Sequence, residues 1–195
     1  KFNIMEEAIK TKVIVDYVGG SFKSNYLETN TSALNYGFTN LGIVPSFEMV
    51  EDDWTLNIGA GLIYSNSTGT ENKTDKFYIY PSVTASCKIV GDLMVFYSGA
   101  VGNLEQNTYR DFVDINPFVS PTLNIKPTNE LYSVYAGLKG KLATTISYDI
   151  KGSYSDDKDK ALFVGTNYNE ESSNANYAFG NSFQMVYDDM KIIRL

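Results

Sequence analysis

The side chains that could do chemistry in this chain are carboxylates, lysines, hydroxyls and one thiol, with no histidine. Without an imidazole a Ser–His pair cannot form, and the commonest general base and metal ligand are missing. Nothing in the spacing points to a Ser–Lys or Thr-type nucleophile. The acid pairs Asp52–Asp53, Glu170–Glu171 and Asp188–Asp189 sit in turn- or loop-like stretches, where solvated acids far outnumber catalytic ones. Asp156-Asp157-Lys158-Asp159 lacks the spaced acid ladder, the glycine and the distal glutamate of a calcium loop. The lone Cys87 excludes an intrachain disulfide and a multi-cysteine metal site. The glycines of Val18-Gly19-Gly20 and Leu138-Lys139-Gly140 read as turn residues, not as a phosphate cradle. The expectation is a non-enzyme with no cofactor and no metal site.

The residues left with a positional pattern are charges that recur at every second position of apolar runs. Lys12, Asp16, Glu48, Lys88, Lys139, Asp149 and Lys151, together with Gln184, all occupy the polar phase of such runs. From Trp54 to Ser65, Trp54, Leu56, Ile58, Ala60, Leu62 and Tyr64 share one phase. Thr55, Asn57, Gly59, Gly61 and Ser65 share the other, with Ile63 the single misfit. Phe77 to Ile89 repeats the pattern, and 41–49, 146–154, 179–187, 13–17 and 132–139 follow it less cleanly. A period of two is the mark of strands with one oily and one wet side. Leu93-Met94-Val95-Phe96-Tyr97 is apolar in both phases, as a strand buried inside a sandwich would be.

Composition narrows the solvent. The chain has 195 residues, net charge −7, and 15 Tyr, 11 Phe and 1 Trp. An acidic chain is a poor fit to a general nucleic-acid binder. No run approaches a transmembrane helix, but a spanning β-strand needs only about 9–11 alternating residues. Trp54 and Tyr64 lie ten positions apart on one oily face, and Tyr177 and Tyr187 repeat the spacing. At a barrel strand's rise and tilt this projects to about 25 Å, the height of an outer-membrane apolar band, so these four are read as an aromatic girdle.

Connections support the same reading. The short breaks at 51–53, 90–92, 140–144 and 188–190 alternate with the long polar ones at 19–33, 66–75, 103–129 and 155–176. Outer-membrane barrels pair short periplasmic turns with longer external loops. The stretch Pro117–Lys126 alternates too, but its prolines argue against a central ladder strand, so it is assigned to the 103–129 loop. Ala161–Tyr168 is likewise assigned to a loop. The sequons at Asn30, Asn66 and Asn72 fall in the proposed outer loops and read as polar loop composition. The expected fold is an all-β, antiparallel, up-and-down transmembrane barrel of about nine strands, the last cut short. The chain is expected to be a processed or partial piece, with loops 103–129 and 155–176 extracellular. The eight polar-phase residues above are then expected to line the lumen.

The stretch Asp114-Ile-Asn-Pro-Phe-Val-Ser-Pro-Thr-Leu-Asn-Ile-Lys-Pro-Thr-Asn129, followed by Leu131–Leu142, Ile146–Tyr154 and Ala161–Phe163, resembles outer-membrane barrel proteins of Bacteroidota. These Gram-negative proteins are TonB-dependent-receptor-like. The resemblance is strongest over 112–163 and implies a middle or late barrel section. The N-terminal plug and energy-coupling box of such receptors are not recognisable here.

Three functions are carried forward. The first is a transport or receptor-like pore in the cell outer membrane, in contact with lipid and lipopolysaccharide. The second is a structural or docking barrel that meets other outer-membrane subunits through its long loops. The third is a soluble β-sandwich binding module.

Overall fold

Alternation of apolar and polar residues becomes one continuous sheet in a computed structural model, which describes residues 6–23, 33–69, 74–143, 145–166 and 182–195. The strands are β1 (Glu6–Phe22), β2 (Leu34–Val50), β3 (Trp54–Ser67), β4 (Thr74–Val90), β5 (Met94–Glu105), β6 (Thr128–Ala143), β7 (Ile146–Gly165) and β8 (Phe183–Arg194). Each is antiparallel to the next, in the order β1 to β8, and one short helix, α1 (Tyr109–Ile115), interrupts the series. No ladder joins β1 to β8 among the described residues, so the sheet is open.

Register turns the two phases into two faces. Ile9, Phe47, Ile58, Val83, Ala100, Val134, Tyr154 and Ile193 are successive partners across all eight strands. This row is apolar from one edge to the other. Its neighbour on the opposite face runs Ala8, Glu48, Asn57, Thr84, Gly99, Tyr135, Ser153 and Arg194, and is mainly polar. A single-residue slip in any ladder would exchange the faces, so the hydrophobic pattern itself specifies the register. The apolar face is the exposed one: Val15 is 74% accessible, Ile79 68% and Ile150 70%.

The opposite face is concave and carries the packing. α1 lies on it, started by a capping box in which the Thr108 hydroxyl accepts from Asp111 N–H and the Asp111 carboxylate accepts from Thr108 N–H. Phe112, Val119, Leu123, Ile125 and Met185 form the main buried cluster. Phe22 of β1 meets Tyr109 edge-on at 5.4 Å, and Phe163 of β7 meets Phe112 at 6.1 Å. A helix of this length is only about 10 Å long. Strands near opposite ends of the sheet therefore reach the same small helix, which requires strong curvature.

The connections alternate. Two or three residues separate β2 from β3, β4 from β5 and β6 from β7, whereas six or more separate β1 from β2, β3 from β4, β5 from β6 and β7 from β8. Gly91, at φ +46°, provides the left-handed residue of the β4–β5 turn.

Several expectations are corrected. There are eight strands among the described residues, not about nine. The supposed turn at Asp188-Asp189-Met190 lies inside β8, where Asp188 pairs with Lys160 and Met190 with Asp157. Lys158 meets the Asp189 carboxylate at 2.8 Å, so this acid answers a lysine on β7 and does not mark a turn. For the same reason 155–165 is not loop but the continuation of β7, with a bulge between Asp157 and Lys160. The 103–129 segment is shorter than expected, since β5 runs to Glu105 and β6 starts at Thr128. It also folds back onto the concave face. Leu93–Tyr97 is not buried on both sides: Leu93, Met94 and Phe96 are exposed.

Candidate functional site: the concave face

The half of the concave face nearest the longer connections is filled. The 106–127 segment is fastened there by polar contacts to β2, next to one edge of the sheet, and to β8 at the other. Asn40 Nδ2 of β2 donates to Gln106 Oε1 at 3.1 Å. Tyr187 Oη of β8 donates to the Asn124 carbonyl at 2.8 Å and accepts from Lys126 N–H at 2.9 Å. Ser120 N–H donates to the Phe183 carbonyl and Phe183 N–H to the Phe118 carbonyl, so 118–120 runs beside the start of β8. Asn107 Nδ2 closes the base of the segment on the Lys126 carbonyl at 2.8 Å. Between this segment and β2–β4 lies a cavity of about 290 Å³, bounded by Tyr36, Phe38, Lys76, Tyr78, Lys126 and Asp159 among others.

Mid-sheet, Ile63, Tyr80 and Leu104 form a second buried cluster with Ile14 and Tyr78 against it. Ile63, the misfit in the β3 alternation, is therefore a packing residue of the concave face. Tyr80 Oη is satisfied by Asn129 Oδ1 at 2.7 Å. The nearby Asp157 is 2% exposed and is held by Lys160 at 3.2 Å, with Glu105 at 3.8 Å from the same ammonium. A buried carboxylate needs such a partner.

Toward the short turns the face is different. Lys88, Val95, Lys139 and Asp149 form one row, and Ser86, Tyr97, Gly137 and Lys151 form the next. The two tyrosine rings lie down on glycines of the facing strand. A Cβ on Gly137 would stand 2.5 Å from Tyr97 Cζ, and one on Gly99 would stand 2.6 Å from Tyr135 Cζ. Lysines cap both rings, with Lys151 Nζ 4.3 Å from the Tyr135 centroid and Lys139 Nζ 5.3 Å from that of Tyr97. Tyr97 Oη donates to Asp149 Oδ1.

The structure distributes the sequence candidates as follows. Lys12, Asp16, Glu48, Lys88, Lys139, Asp149 and Lys151 share the face that carries α1, as the ladders require. Lys88, Lys139, Asp149 and Lys151 are gathered into adjoining rows, whereas Lys12 and Asp16 stand apart on β1. Glu48 is paired with Lys10 at 2.6 Å. Gln184 departs from the set. It lies opposite the exposed Val164 and alternates with the buried Met185, so it is on the outer face. The cause is the 106–127 segment, which covers the oily phase of β8 at this height.

Of the aromatic girdle, Tyr64 is exposed on the outer face opposite Leu41 and Phe77. Trp54 shares the outer row of Cys87, Phe96, Leu138 and Ile150, and its Nε1 donates to Glu51 at 2.7 Å. Tyr187 is instead the clamp on Asn124 and Lys126. Tyr177 lies outside the described residues.

Sequence reasoning missed Lys141 and both tyrosine–glycine crossings. Isolated glycines at 99 and 137 inside strand patterns were the available signal. Thr108 and Asp111 likewise stood at capping-box spacing ahead of α1. Among the described residues no cluster of three or more His, Cys, Asp or Glu side chains is placed to hold a metal. Comparison with protein-family models, with curated proteins and with solved structures finds no match.

Proposed function

We propose that this chain forms wall strands of an outer-membrane β-barrel with a transport or receptor role. Its exposed apolar face meets lipid, and its concave face borders the solute path. The observation that carries this reading is the apolar row Ile9–Phe47–Ile58–Val83–Ala100–Val134–Tyr154–Ile193, unbroken across eight strands and largely accessible. A sheet in water would cover such a face, since burying one large aliphatic side chain is worth about 1.5–3 kcal/mol. Alternating connection lengths and the polar neighbouring row support the same arrangement.

In this account the 106–127 segment acts as a gate that narrows the path at the end of the longer connections. Fractionation of the native envelope, followed by the heat-modifiable gel shift of intact barrels, tests the membrane assignment. Recovery of a monodisperse, folded protein in plain buffer would refute it and favour a soluble binding module. Conductance of the inserted protein tests the solute path.

One feature favours a docking role as a second reading. Ile115 and Phe118 stand 71% and 67% exposed on the segment, at the end of the longer connections. Charge substitutions there that release an otherwise stable co-purifying envelope subunit, with conductance unchanged, would select that role.

A further inference from the structure

The net charge of −7 is not spread evenly. On the concave face near the short turns, β4, β6 and β7 place Lys88, Lys139, Lys141 and Lys151 together; Asp149 lies among them, and the adjoining turns bring Asp53 and Asp92 beside Lys88 and Lys141, whose backbone N–H groups donate to the carbonyls of those acids. All four lysines are exposed. None has a carboxylate within ion-pair distance among the described residues, and Asp149 already accepts the Tyr97 hydroxyl.

Strand spacing puts the Lys88 and Lys139 backbones about 10 Å apart, two strands away from each other. Lys139 and Lys151 are diagonal neighbours at about 7–8 Å. Like charges this close repel unless hydrated or bridged. Two of the ammonium groups are also steadied on aromatic rings, Lys139 on Tyr97 and Lys151 on Tyr135, and those rings rest on glycines. The stems are thus partly ordered before any ligand arrives, which lowers the entropy lost on binding.

We propose that this lysine–tyrosine patch is a binding site for small polyvalent oxyanions, such as di- or triphosphates or polycarboxylates, at the short-turn mouth. The proposal rests on the reading of the concave face as the solute side, and it specifies the charge class of that solute. Lys88 and Lys139 hold the two ends of the anion, and Lys141 and Lys151 close around it.

The test uses the full chain in neutral, lipid-free detergent, with inorganic pyrophosphate followed by titration calorimetry. Saturable binding is expected, weakened by added salt. Affinity should fall about tenfold or more in the Lys88→Gln/Lys139→Gln/Lys141→Gln/Lys151→Gln variant. The matching quadruple Lys→Arg variant keeps the charge and should retain binding, which guards against a folding artefact. An intact, heat-modifiable protein that shows no saturable pyrophosphate binding, or equal binding after the Gln substitutions, overturns the site. Uptake of phosphatidylglycerol from mixed micelles without pyrophosphate binding also overturns it, by assigning the lysines to a lipid headgroup. A protein that is monodisperse without detergent refutes the membrane reading instead, so the two failures are separable.

Discussion

The phenol end of Tyr97 on β5 crosses over Gly137, its direct partner on β6, where a Cβ would stand 2.5 Å from Cζ. Two positions away the relation is reversed, with Tyr135 of β6 lying over Gly99 of β5. The pair of crossings paves this part of the concave face with aromatic surface and keeps it low, leaving room above for the lysines.

Alanine at these glycines should therefore destabilise unequally. At Gly99 the nearest atoms to a new Cβ belong to the far end of the Tyr135 ring, which can swing away. At Gly137 the Ile150 carbonyl also stands 2.7 Å away, and backbone cannot. Gly137→Ala should cost about 1–3 kcal/mol, the range for overpacking, and Gly99→Ala clearly less. Urea unfolding in detergent micelles, or the temperature of the gel-shift transition, measures the difference. Equal effects would contradict the crossing geometry.

The outer face should reject charge in a way its neighbour does not. Val134→Lys, in the middle of the apolar row, should lose about 2–4 kcal/mol of folding free energy in lipid bilayers. Thr84→Lys, one row away on the concave face, should lose little. Folding into phosphatidylcholine vesicles, followed by the same gel shift, compares the two.

Tyr187 should hold the 106–127 segment in place. Tyr187→Phe keeps the ring but removes the hydroxyl that serves the Asn124 carbonyl and the Lys126 N–H. One of these bonds is exposed and the other part-buried, so their loss should cost about 0.5–1.5 kcal/mol. Hydrogen exchange at 123–127 should speed up while exchange in β3 and β4 stays unchanged. If the segment gates a path, conductance should rise in the same variant.

Thr108→Ala gives a second, independent handle on that segment. It removes the side-chain half of the capping box and should weaken α1 by about 1 kcal/mol. Faster exchange over 109–115, with the sheet unaffected, is the expected outcome.

How far the sequence could be read depended on what each strand packs against. Where one face is open and the other wet, as in Trp54–Ser65 and Phe77–Ile89, alternation was clean and the division into two faces followed, although the partner of each residue did not. Where the concave face is itself packed, the code inverted. Phe183, Met185 and Tyr187 looked like an outer stripe, but they face the folded-in segment, and Gln184 was displaced with them. Asp188 and Asp189 looked like turn acids because what answers them lies on β7, some thirty residues away and beyond the reach of local pattern: Lys160 as ladder partner of Asp188, and the Lys158 ammonium on Asp189. The lysine patch was half legible. Lys88, Lys139 and Lys151 stood out by phase, but their convergence depends on three ladders that no single strand announces.

Site-directed spin labelling reads out whether alternate residues of β3 face lipid and water. On a Cys87→Ser background, labels at Ile58→Cys and Asn57→Cys would be compared in bilayers for collision with oxygen and with a water-soluble nickel chelate. The label at 58 should collide mainly with oxygen and the label at 57 mainly with nickel. A label at 58 shielded from both, as in a protein core, or one equally open to nickel, would contradict that arrangement.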